Sequence, residues 1–155
     1  MANRSSGNAY KPKRPFKTIE GIGTEPWRRL SRNAVYVLNR FYAKFDGYNH
    51  DNLSLTYGEM KDKMSNRLFS TALWELMGLG FIDRVREGRL ERECSIYRLS
   101  NRWRKLENEP KTLDEVESLL KKVEDLKREK GSVEKRIRIK ELRIRALKLS
   151  GIRKV

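Results

Sequence analysis

Across Gly78 and Gly80 the apolar residues of this chain change period. Before the glycines, Leu68, Phe69, Ala72, Leu73, Leu76 and Met77 recur at i, i+1, i+4, i+5, i+8 and i+9, which gathers them on one side of a helix. After them, "FIDRVRE", "EGRLERE" with Gly88 at its turn, and "CSIYRLS" read as two strands around an arginine-rich tip. A one-striped helix and a lone hairpin are each marginal in water, so further elements must cover their apolar faces. Ser65 or Asn66 supplies the helix cap, and Arg67, Ser70, Thr71 and Trp74 fall on the side away from the stripe.

Upstream, Thr24, Glu25 and Pro26 mark a helix start, and Trp27, Leu30, Ala34, Leu38, Phe41 and Phe45 follow at spacings of three and four, predicting one helix with one buried stripe. "DGYNHDN" is dense in turn formers, and the alternation in "LSLT" predicts a very short strand. Thr56 and Glu59 form a T-x-x-E capping box, so a helix of about two turns should begin at Tyr57 and carry Met60 and Met64 inward.

Downstream, Trp103 and Leu106 return the chain to the core before Pro110, and Thr112 with Glu115 offers a second capping box. From there Val116, Leu119, Val123, Leu126, Lys130, Val133, Ile137, Lys140, Ile144 and Leu147 are spaced alternately three and four apart. That is a coiled-coil seam interrupted by two lysines, and its apolar members Val116, Leu119, Val123, Leu126, Val133 and Ile137 are the candidate dimer contacts. Gly131 and Ser132 can end one helix and cap another, so a hinged hairpin competes with a continuous rod. The expected organisation is a basic arm over 1–25, a core domain over 26–108 and a helical extension over 112–150.

The chain has 155 residues and a net charge of +15. The length suits one core, and the charge points to a polyanionic partner, nucleic acid or an anionic surface. Nine bases against two acids lie in 131–155, the most basic stretch per residue. With one cysteine (Cys94) and one histidine (His50), a disulfide framework, a Cys/His zinc site or a Cys-His dyad lacks its residues. "GIGTEP" lacks the phosphate-loop lysine pattern, and no nucleophile elbow or H-E-x-x-H occurs, so no enzyme, metal or cofactor is expected. Apolar runs fall far short of the ~20 residues of a spanning helix, so a cytoplasmic protein associated with the nucleoid is expected.

"PWRRLSRNAVYVL", the loop "GYN" before "LSLTYGEM", and "ALWELMGLGFIDRV" followed by the hairpin and "YRLSNRW" together resemble the winged-helix family of DNA-binding domains. Within it they are most similar to the winged helices of replication and regulatory proteins of plasmids, phages and other mobile elements. The resemblance spans Trp27 to Trp103, and it departs from the family in "KDKMSNR", where no glycine marks the turn before the reading helix. The fold it implies is mainly α with a small antiparallel β wing, here followed by a long C-terminal helix or helical hairpin. The function it implies is sequence-specific binding of double-stranded DNA in transcription regulation or replication initiation.

An α-helix fits the major groove, and cations on a hairpin can follow phosphates. Asn66, Arg67, Ser70 and Thr71 are therefore the expected base-edge contacts, Arg67 first because a guanidinium binds guanine bidentately. Arg86, Arg89 and Arg92 are the expected wing contacts, while Lys11, Lys13 and Arg14 of the arm neutralise phosphates or follow the minor groove. Cross-strand pairing of the wing arginines with Glu87, Glu91 and Glu93 is the structural alternative. The basic C-terminal helix is read as a homodimer contact first, a DNA contact second and a membrane-surface helix third. The rival from another class is an adaptor that uses the core domain and coiled coil to assemble proteins.

Overall fold

A computed structural model describes residues 19–88, 93–129 and 131–152. The expected arm contacts Lys11, Lys13 and Arg14, the wing residues Arg89 and Arg92, and Lys130 of the seam lie outside the described residues.

The first predicted helix is two: α1 (Glu25–Arg28) and α2 (Arg32–Lys44). The break falls at Ser31, which caps α2 by accepting from the Ala34 N–H at 3.2 Å. Its own hydroxyl donates to Glu75 at 2.8 Å, and its N–H donates to the same carboxylate. A serine able to satisfy a new helix start outweighs the continuous apolar period. Ala34, Val37, Leu38 and Phe41 of α2 are then fully buried.

The predicted short strand reduces to a single antiparallel bridge, Leu53 to Tyr97. Thr56 caps α3 (Tyr57–Met60) with both halves of the predicted box formed, Glu59 N–H to Thr56 Oγ1 at 3.2 Å and Thr56 N–H to Glu59 Oε2 at 2.8 Å. Ser65 caps α4 (Asn66–Gly78), which buries Phe69, Ala72, Leu73, Leu76 and Met77 and leaves Leu68, expected inside, facing solvent. Gly80 ends this element at φ +82°, where a Cβ would stand 2.5 Å from the Trp103 nitrogen. The chain then enters the antiparallel pair β1 (Ile82–Arg86) and β2 (Ile96–Leu99), whose register slips between Arg84 and Arg86. At Val85 the strand is therefore irregular, and that side chain is exposed.

After α5 (Trp103–Asn108), α6 (Pro110–Arg128) begins two residues before the predicted capping box. Proline suits the first helical turn because its missing N–H is not needed there. Thr112 donates instead to Glu109 at 3.1 Å, and Glu115 pairs with Arg145 at 2.6 Å. Gly131 and Ser132 do break the extension: Ser132 accepts from the Lys135 N–H and caps α7 (Val133–Leu149). The Glu115–Arg145 pair joins the start of α6 to the end of α7, so the two form an antiparallel hairpin.

That hairpin overturns both the predicted domain boundary and most of the predicted dimer seam. Leu113, Val116 and Leu119 of α6 and Ala146 and Leu147 of α7 belong to the same core as Phe41, Phe69 and Leu76. Val116, Leu119 and Val123 are buried within the chain and Leu126 is half-buried, so the heptad face joins the extension to its own domain. Only Val133 and Ile137 of the predicted contacts are exposed.

One largely buried arginine locks the arrangement. Arg102 donates to Asp83 at 2.7 Å, to the Met77 carbonyl at 2.8 Å, to the Ile82 carbonyl at 3.2 Å and to the Ser150 hydroxyl at 2.6 Å. It thereby ties the end of α4, the start of β1 and the end of α7 to the start of α5. Burial pushes its pKa down, opposed by Asp83, and the multiple acceptors keep the charge satisfied.

Candidate nucleic-acid interface

The outward side of α4 lies between the β hairpin and the α6–α7 hairpin. Asn66 and Arg67 stand exposed on its first turn, directly after the Ser65 cap. Ser70 is half-buried one turn on, in the wall of a cleft of about 520 Å³ between α3, α4 and the β hairpin. Tyr57, Trp74, Arg84, Glu93 and Tyr97 contribute to the same walls.

Thr71, expected beside them, is placed otherwise. Its hydroxyl donates to Glu124 at 3.0 Å and accepts from the Lys127 ammonium at 2.8 Å, so α6 covers it. Thr71 is an anchor between helices and is not free to meet a base edge. The reason is the α6–α7 hairpin, whose position on α4 no local pattern around Thr71 announces.

On the β hairpin, Arg86 is exposed and stands 4.0 Å from Glu93, too far for a hydrogen bond. Arg84 pairs with Glu87 at 3.2 Å, and Glu87 is 70% exposed. Such exposed pairs contribute little and exchange readily with other partners. Of the expected pairings of wing acids with arginines, the cross-strand one among the described residues is Arg86 with Glu93, which leaves Arg86 exposed, while Arg84 is half-buried beside Glu87.

Four further residues shape the site that the sequence did not single out as contacts. Trp74 lies seven residues after Arg67, on the same side of α4, and is half-buried. The Arg143 guanidinium of α7 lies over its ring at 4.4 Å and that of Arg84 at 5.3 Å, distances at which a cation is attracted to the π face. Lys127 and Arg143 share with Thr71, Trp74, Leu120 and Val123 the walls of a second, smaller cleft of about 260 Å³ between α4 and α6. The spacing of Trp74 from Arg67 was a readable signal; the positions of Lys127 and Arg143 depend on how α6 and α7 fold back.

The electrostatics follow from burial against pairing. Burial pushes the Arg143 pKa down to about 10, with Glu124 opposing and the like charge of Arg84 adding to the fall. Burial likewise lowers Lys127, against its hydrogen bond to Glu124. Glu124 is itself raised by burial but lowered further by Lys127 and Thr71, and ends below its ordinary value. Cations are thus held around α4 together with Glu124, which is committed to Lys127 and Thr71.

Among the described residues no three His, Cys, Asp or Glu side chains converge as a metal site, and no helix is long and apolar enough to cross a membrane. No protein-family model, curated protein or solved structure matches the chain.

Proposed function

We propose that this chain binds double-stranded DNA as a winged helix, with α4 in the major groove. The observation that carries the reading is the exposure of Asn66 and Arg67 on the first turn of α4, beside a hairpin with exposed Arg86, in a chain of net charge +15. The order α2, Leu53 bridge, α3, α4, β1, β2 is the winged-helix order and supports it. Asn66, Arg67 and Ser70 read base edges, Arg86 holds phosphate, and the many cations of α7 add affinity through counterion release. Regulation of transcription and initiation of replication both use such a device, in the cytoplasm at the nucleoid.

The deciding measurement is fluorescence anisotropy of a labelled random duplex over a salt series, with matched single-stranded DNA as control. Duplex binding that weakens steeply with salt is the expected result. No duplex binding at low salt removes the reading.

A second reading, an adaptor that assembles proteins, draws on Val133 and Ile137, which are 69% and 55% exposed at the α6–α7 turn. It predicts association that is insensitive to salt and independent of duplex.

A further inference from the structure

Arg143 is half-buried and, among the described residues, has no ion-pair partner. Its Nε–H is buried and, among the same residues, donates to nothing. Glu124 acts on it electrostatically, but that carboxylate already accepts from Thr71 and Lys127. Arg84 brings a second guanidinium to the same indole and repels the first. Contact with the Trp74 face offsets part of the lost hydration, yet it leaves the Nε–H unmatched and the two like charges together. Folding normally pairs such a group or expels it to solvent.

We propose that Arg143 and Arg84, steadied on Trp74, bind a phosphoryl group as monoester or diester. Both guanidinium carbons lie within 5.3 Å of one indole centroid; Arg84 lines the larger cleft, Arg143 the smaller, and Trp74 is common to the two. Phosphoryl oxygens diverge in space and accept from two planar guanidinium forks at once, which a Lys pair would not match. Burial, and with it the like charges of Arg143 and Arg67, lowers the Lys127 pKa, as its ammonium stands close to both arginines. Five acids border the two clefts. Glu124 stays on Lys127, Glu117 on Arg29 and Glu75 on Ser31, Glu93 is beside Arg86, and exposed Glu87 is displaced from Arg84 when the anion enters.

The phosphoryl group has two sources, the backbone of a duplex or a free phosphate compound. In the first, the C-terminal hairpin is part of the DNA interface through α7; in the second, the site holds a small ligand beside the reading helix. The test uses the full chain and inorganic pyrophosphate, followed by tryptophan fluorescence at ionic strength held constant with chloride, with Trp74→Phe to assign the signal. A saturable change that is lost in Trp74→Phe and weakened about tenfold in Arg143→Gln and in Arg84→Gln is the expected result. No saturable change, or the same affinity in both glutamine variants, overturns the proposal. Should Arg143→Gln lose its cooperative melt, Arg84→Gln alone decides, because Arg84 is on a strand at the cleft wall.

A parallel anisotropy titration separates the sources. Duplex affinity that falls with Arg143→Gln, and duplex displaced by pyrophosphate, identifies the backbone. Duplex affinity indifferent to both, with pyrophosphate still bound, identifies a free phosphate ligand. If the chain binds no duplex at all, the pyrophosphate arm still stands or falls by itself.

Discussion

At the scale of single residues, exposure separates side chains that the sequence treats alike. Arg67 and Thr71 are one helical turn apart on α4, but Arg67 faces solvent while Thr71 is bonded to α6. Arg67→Ala should cost about 1–3 kcal/mol on a preferred duplex and less on random duplex, measured by anisotropy on both. Equal losses would make it a phosphate contact. Arg102 has the opposite role: its replacement by Ala leaves the Met77, Ile82 and Ser150 carbonyls without that donor and Asp83 with Arg98 alone. A buried ion pair broken from one side costs about 3–5 kcal/mol, and because Arg98 also reaches Asp83 at 3.3 Å the lower end is expected in a urea melt. That Arg67 and Ser70 lie off the apolar stripe of α4 was readable from helix periodicity. The burial of Arg102 was not, because a solvent arginine and a buried one look the same in a sequence.

At the scale of elements, the caps were legible because each is a short-range contract between residues three apart. The Thr56–Glu59 box forms as its spacing predicts, and it adds a partner from outside the pattern, Lys44. Lys44 first, then the Thr56 donors, hold the Glu59 carboxyl below its usual value of 4.5, against the opposite pull of burial. A depressed carboxylate contributes stability that is complete above the unfolded pKa and is lost as pH falls through the lower folded value. Glu59→Gln should therefore lower the thermal midpoint at pH 7, and the gap to the parent should close under acid conditions below that folded value. A gap of the same size in acid would show that the charge is not what Glu59 supplies. The Thr112–Glu115 box failed because Pro110 starts α6 two residues earlier, and both residues take other partners.

At the scale of the whole molecule, the C-terminal hairpin decides what the chain is. An extension beyond Pro110 that lay outside the core would be removable, but Leu113, Val116 and Leu119 are at most 4% exposed in the shared core. Truncation after Pro110 should expose that apolar face and abolish the cooperative melt seen by circular dichroism. A truncated chain that melts cooperatively would return the extension to the status of an appendage. Leu113→Ala should cost about 2–5 kcal/mol on the same grounds, since it opens a cavity in a packed interior. The sequence by itself determined several local elements: the caps at Thr24, Thr56 and Ser65, the glycine stop at Gly80 and the two-stranded hairpin, while it left the break at Gly131 open against a continuous rod. Those follow from backbone sterics and from hydrogen bonds between near neighbours. Only the tertiary structure decided that the heptad face covers its own domain, that Thr71 is closed off and that Arg143 and Arg84 meet at Trp74. A periodic apolar stripe states that a face must be buried, and says nothing of which surface buries it.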